Sequence, residues 1–220
     1  MIEGNSGSSN RAVVEIAQAS PEIWDTTIRK NGCSSRPVLR CDASCFYALG
    51  LEFAGNQIRD PETPLVDLRN SIVDVDGCYL TGNRTALADV LAVREGTTLR
   101  AVHWNVVENT SGGGSALHVV AGSTYYLDYG IIWANCTGDR PELLADEGSQ
   151  VTLGTCIYDS SRVAPGPSVW LWGRKYYEDP RFCRLAGCDS SEASDYGPTE
   201  PSPFWPMGRR CRGAGEPFSP

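Results

Sequence analysis

The sequence predicts an all-β chain wound into a right-handed parallel β-helix of about six coils, finished by a C-terminal cap or tail. Three observations carry this: a repeat close to 26 residues long, three short alternating apolar runs inside each repeat, and an asparagine recurring near each repeat's end.

Four blocks of 26 residues align without gaps, starting at Leu65, Leu91, Leu117 and Leu143. After the opening leucine comes a turn, Gly96-Thr97, Gly122-Ser123 and Gly148-Ser149 in three blocks and Asn70-Ser71 in the first. Alternating apolar pairs follow: Val73/Val75, Leu99/Ala101, Tyr125/Leu127 and Val151/Leu153. A second set reads Cys78/Leu80, Trp104/Val106, Gly130/Ile132 and Cys156/Tyr158. Asn83, Asn109, Asn135 or Ser161 closes each block, and Asn31 and Asn56 extend the series backwards at spacings of 25, 27, 26, 26 and 26.

A strand trio of this size cannot bury its apolar face alone, but stacked coils bury a continuous column. Leucine-rich repeats need more leucines at fixed offsets, and antiparallel sandwiches do not hold a constant period. Stacked coils rise by about 4.8 Å each, so six give a prism roughly 29 Å tall. Asparagine at one turn column has two physical reasons: it tolerates the left-handed backbone conformation, and its amide can donate to and accept from stacked copies of itself. The expected division is a flexible N-terminal lead over 1–11, coils over 12–168, and a capping segment with a proline-rich tail over 169–220.

Val73 through Asn83, Gly130 through Asn135 and Gly148 through Leu153 resemble coils of right-handed parallel β-helix repeat proteins of the pectin lyase-like fold. Asp179 through Cys183, Ser202-Pro203 and Cys211 through Gly215 resemble the end of large exported bacterial members, where the last coil meets a short cap. Members usually have more coils and an N-terminal cap, so the resemblance implies a C-terminal piece of a longer exported protein. It also implies where activity would sit: a groove along one sheet, with acidic residues as calcium ligands or acid/base groups and Arg or Lys beside them. Fold alone does not assign activity.

The 27 acidic and 19 basic residues give a formal charge of −8, which argues against nucleic acid or an anionic membrane as partner. No run of about 18 apolar residues spans a bilayer. Residues 1–10 carry no basic-then-apolar leader, as in a cytosolic protein or in a piece whose exported N-terminus is missing; the repeats favour the piece, and nine cysteines point to an oxidising compartment. The expected location is therefore extracellular or at the cell surface, as a monomer or part of a longer chain.

Two outward columns of the middle strand hold the candidate chemistry. One reads Asp74, Arg100, Tyr126 and Thr152, with Asp74 over Arg100 as a cross-strand ion pair. The other reads Gly50 or a neighbour, Asp76, Val102, Asp128 and Gly154, placing Asp76 and Asp128 about 9.6 Å apart, near the separation inverting glycosidases use. The polygalacturonase and pectate lyase signatures are missing, so a solvated face is the favoured reading of Asp74, Asp76, Arg100 and Asp128. His103 and His118 fall in different columns with no ligand-spaced partner, and neither a metal site nor a Ser-His-Asp triad follows.

Cys78 and Cys156 are expected as buried thiols. Cys33, Cys41 and Cys45 would lie in an excursion between early coils, with Cys41–Cys45 or Cys33–Cys41 as disulfides, and Cys183–Cys188 would bond in the tail. The sequons at Asn83, Asn109 and Asn135 belong to the asparagine column, which outweighs glycosylation. Trp133 and Tyr126 are the aromatic candidates for stacking on sugar rings, while Trp170 and Trp172 are expected to cover the last coil.

The favoured function is a non-catalytic extracellular β-helix segment for surface display, adhesion or carbohydrate contact, requiring no cofactor. The rival is a polysaccharide lyase or glycoside hydrolase using Asp74, Asp76, Arg100 and Asp128, with calcium in the lyase case.

Overall fold

The computed structural model describes residues 1–7, 12–163, 169–177, 180, 182–184 and 195–198. Among these there is no helix, and the chain forms a parallel β-solenoid of about six turns. Each full coil visits four faces rather than three. Face one stacks Val14–Ala17, Leu39–Asp42, Val66–Arg69, Leu91–Arg94, Leu117–Val119 and Leu143–Ala145. Face two stacks Glu22–Trp24, Cys45–Leu49, Ile72–Asp76, Thr98–Val102, Thr124–Asp128, Gln150–Leu153 and Val169–Leu171. Face three runs from Ile2–Glu3 through Thr27–Arg29, Glu52–Ala54, Tyr79–Thr81, Asn105–Val107, Gly130–Trp133 and Cys156–Tyr158 to Lys175–Tyr176. Face four, the shortest, stacks Ser6–Gly7, Gly32–Cys33, Gln57–Ile58, Arg84–Thr85 and Thr110–Ser111. Phe182–Arg184 and Asp195–Pro198 form a separate antiparallel pair.

The solenoid begins earlier than the sequence pattern indicates. Residues 1–11 were expected as a flexible lead, yet Ile2–Glu3 and Ser6–Gly7 pair in parallel with Ile28–Arg29 and Gly32–Cys33. The predicted inward pairs of faces two and three stack in register and are buried. One register differs: Val66, not Leu65, sits over Leu91. The coil that begins at Leu91 absorbs the extra residue at the next corner, where Glu95 and Gly96 both take positive φ against Asn70 alone below.

The corners explain the asparagines. Each coil turns from face three to face four through a residue with positive φ: Lys30, Gly55, Gly82, Glu108 and Ala134. These immediately precede the ladder asparagines, which do not carry the left-handed conformation themselves. Asparagine is therefore selected here for its amide, not for backbone tolerance. From Asn5 through Asn109, each asparagine donates both its backbone N–H and its Nδ2 to Oδ1 of the next one, at 2.9–3.1 Å. From Asn31 on, Nδ2 also donates to a face-three carbonyl of the coil below: Ile2, Ile28, Phe53, Leu80 and Val106 in turn. The amides of Asn83, Asn109 and Asn135 are thus buried and engaged, so their sequons are inaccessible in the folded coil.

The upper end of this ladder is Glu142, not the expected Ser161. Asn135 donates its N–H to Oε1 and its Nδ2 to Oε2 of Glu142. Ser161 is exposed and bonds Asp159 instead. Burial raises the Glu142 carboxyl above the ordinary range, although Asn135 and the Arg162 guanidinium, 3.4 Å away, oppose the rise. A second column of hydroxyls runs along the corner between faces one and two, where Ala19, Ser44 and Ser71 each donate N–H to the Oγ of Ser44, Ser71 and Thr97 respectively.

Cys78 and Cys156 are buried thiols, and burial pushes both up to about 12. The early-cysteine expectation fails. There is no excursion: Cys33 lies inward on face four, Cys41 inward on face one and Cys45 exposed at the start of face two, and all three are free. Cys45 faces outward and Cys41 inward, so that pair cannot meet disulfide geometry, and Cys33 and Cys41 stay unbonded on two different faces of the core. The proposed Cys183–Cys188 bond lies outside the described side chains, whereas Cys136, which spacing does not single out, is disulfide-bonded.

Replacing Asn83 by alanine would remove four hydrogen bonds: it orphans the backbone N–H of Asn56, takes one of two partners from Asn56 Nδ2 and from Asn109 Oδ1, and removes the amide donor to the Phe53 carbonyl. At about 0.5–1.5 kcal/mol for each hydrogen bond lost, Asn83→Ala is expected to cost at least about 2 kcal/mol in urea unfolding. A loss under about 1 kcal/mol would show that the ladder contributes little.

Candidate functional site

Face two holds the longest strands of the coil, and its strand register fixes which side chains share its outer surface. Tyr47, Asp74, Arg100, Tyr126, Thr152 and Trp170 form one outward column, and Trp24, Leu49, Asp76, Val102 and Asp128 form the other. Leu49 rather than Gly50 underlies Asp76. The predicted ion pair is present, with Arg100 Nη1 3.4 Å from Asp74 Oδ1 and both groups exposed, so screening keeps it weak.

Each acidic candidate already has a partner. Asp76 Oδ1 lies 2.9 Å from Nδ1 of His103, whose ring stacks on Tyr129 at 5.5 Å between centroids. Asp128 Oδ1 accepts the backbone N–H groups of Tyr129 and Thr155 at 3.0 and 2.8 Å. This second bond demands glycine at 154, because a Cβ there would lie 2.4 Å from the same oxygen. Burial first, then the charge of Asp128, pushes the Tyr126 phenol above its ordinary value. A carboxylate held by two backbone donors is well placed to remain an acceptor and poorly placed to deliver a proton, as a glycosidase acid must.

The aromatic groups are more accessible. Trp24 is 54% exposed and packs edge-on against Tyr47 at the lower end of the face. At the upper end, Trp172 is 50% exposed and lies 6.2 Å from Tyr126, with Trp170, 68% exposed, on the same face. Trp170 and Trp172 therefore do not cover the last coil; Val169–Leu171 adds a further strand to face two, which turns Trp170 outward. Trp133 is separated from Tyr126: it lies on the outside of face three, half-buried against Val107, Ile131 and Ile157.

The histidines have carboxylate partners that column spacing did not reveal. Besides His103, His118 on face one is held between two aspartates, with Nδ1 2.9 Å from Asp89 and Nε2 3.0 Å from Asp146. Asp89 belongs to the coil below and Asp146 to the coil above, so the imidazole clamps three coils. Asp89 and Asp146 lie just outside the strands, at positions a strand-column alignment does not compare. Among the described residues, no group of three or more His, Cys, Asp and Glu side chains is arranged to hold a metal ion. A polar hollow of about 510 Å³ opens away from face two, between 138–141 and 159–163, but Arg162 there is tied to Thr137, Gly138 and Arg140.

No protein-family model and no curated protein matches the chain. Among solved structures it is similar to two trypsin-treated variants of QnrB1, described as a plasmid-mediated fluoroquinolone resistance protein. The first is 17% identical over 74% of this chain and 92% of that one, with a TM-score of 0.19; the second is 15% identical over 76% and 92%, with a TM-score of 0.15. Likeness at this level carries no argument about fold or activity. The class of the molecule, a parallel β-solenoid, rests on its own strand pairing. Among the described residues, no helix is long and apolar enough to cross a membrane.

Burial opposes charging of His118, but the hydrogen bonds and charges of Asp89 and Asp146 outweigh it and raise its pKa above 6.5. Its contribution to stability is therefore complete below the unfolded value and is lost as pH rises through the higher folded value. Chemical denaturation at a series of pH values should show this fall in the native chain and a reduced fall in His118→Gln. Equal slopes in the two proteins would contradict the clamp.

Proposed function

We propose that the chain is a non-catalytic solenoid segment of an exported protein, kin to the pectin lyase-like β-helix proteins, whose face two contacts carbohydrate at the cell surface. The observation that carries the reading is the distribution of aromatic rings on this face: exposed Trp24 with half-buried Tyr47 at one end of the sheet, and half-buried Tyr126 with exposed Trp170 and Trp172 at the other. Soluble proteins seldom leave large apolar rings grouped on one surface without a partner. Sugar rings present C–H faces to such platforms, and the carboxylates and Arg100 between them can hydrogen-bond hydroxyl groups. Six strand spacings separate Trp24 from Trp170, roughly 29 Å, which suits an extended chain rather than a compact ligand.

Export is supported by the disulfide at Cys136, since such bonds persist in oxidising compartments. The net charge of −8 supports a partner other than nucleic acid. The partnered states of Asp74, Asp76 and Asp128 support contact over hydrolysis or lyase chemistry.

Titration calorimetry against cello-, chito- and galacturono-oligosaccharides, with and without calcium, tests this. Binding of at least one series, no turnover, and an approximately tenfold or greater loss in Trp24→Ala and Trp172→Ala are expected. Absence of binding throughout, or turnover abolished by Asp76→Asn, would overturn it.

A further inference from the structure

We propose that the glycan held on face two carries free amino groups: an extended polymer of glucosamine type rather than a neutral or uronic-acid chain. The inference rests on the carbohydrate reading above and adds the ligand's charge. Among the described residues along the face, Glu22, Asp25, Asp74, Asp76 and Asp128 stand against the guanidinium of Arg100, the imidazole of His103 and, at the upper end, the Lys175 ammonium, whose Nζ donates to the Gly154 and Trp172 carbonyls. Arg100 is already matched by Asp74, so the surface between the aromatic pairs presents excess negative charge.

The acids and rings are interleaved rather than segregated. Glu22 accepts the indole N–H of Trp24 at 3.2 Å, Asp76 meets His103 on Tyr129, and Asp128 lies beside Tyr126 under Trp172. A ring that stacks on a sugar therefore has a carboxylate within a few ångströms of the sugar's edge. An ammonium on that edge gains both the carboxylate's charge and the quadrupole of the aromatic face. A uronic acid placed there would meet like charge, which costs affinity. One coil also advances the face by about 4.8 Å, close to the advance of one residue along an extended β-linked hexose chain. Successive sugars can therefore meet successive coils in near-constant register.

The probes are matched oligomers of glucosamine, N-acetylglucosamine and galacturonate, with oligolysine as a charge control, titrated into the full chain at low and moderate salt. The glucosamine oligomer should bind at least tenfold more tightly than its acetylated counterpart, weaken with salt, and lose about tenfold in Asp74→Asn/Asp76→Asn, a larger loss than the acetylated oligomer shows. Equal affinity for both oligomers would overturn the amine assignment and leave carbohydrate contact standing, as would preference for galacturonate. Binding of oligolysine as tightly as the glucosamine oligomer would also overturn it, by showing charge without stacking. No binding by any sugar removes this proposal and the carbohydrate reading together. Circular dichroism of the double variant must match the native chain, and Glu22→Gln, on an exposed side chain, supplies a second variant with the same expected direction.

Discussion

The column of asparagine amides is the constraint on which the rest of the solenoid depends. A coil turning from face three to face four leaves backbone donors and acceptors pointing inward, where no water satisfies them. Each asparagine answers this locally, accepting two N–H groups from the coil below through one oxygen and donating to a carbonyl of that coil through its nitrogen. The bonds are specific in distance and direction, so they fix the vertical register of the whole coil. A slip by one residue would move every apolar side chain from the interior to the surface.

With register fixed, the columns elsewhere follow. Leu39, Val66, Leu91, Leu117 and Leu143 stack on face one, and Ile28, Phe53, Leu80, Val106, Ile132 and Tyr158 on face three, all buried. The same register lines up the outside. Trp24, Tyr47, Asp74, Arg100, Tyr126 and Trp170 share one surface only because their coils are held level. The ladder thus connects an interior polar network to the geometry of the outer face. Its upper end at Glu142, an acid raised by burial and set against Arg162, closes the network without leaving Asn135 unpaired.

Much of this was legible in the sequence because a constant period transmits local pattern to global position. The inward pairs of faces two and three, the asparagine column and the Asp74–Arg100 pair all follow from counting 26 residues. What counting missed lies at corners and in single-residue irregularities. Asn5 preceded the recognisable apolar pattern, the extra residue at Glu95-Gly96 shifted Leu65 out of alignment, and the short face-four strands carry only Cys33, Ile58, Thr85 and Ser111 as inward markers. The partners of both histidines depended on side-chain reach across coils. Cysteine pairing was misread because proximity in sequence was allowed to stand for proximity in space, although Cys41 points inward and Cys45 outward.

Native-state hydrogen exchange resolved by residue tests the central claim most directly. If the amide column holds the register, the backbone N–H groups of Asn31, Asn56, Asn83 and Asn109, each bonded to the next asparagine's oxygen, exchange only through global unfolding and at a common slow rate. Exchange of these four through local opening, faster than the inward strand residues Val73, Leu99 and Val106, would contradict the account.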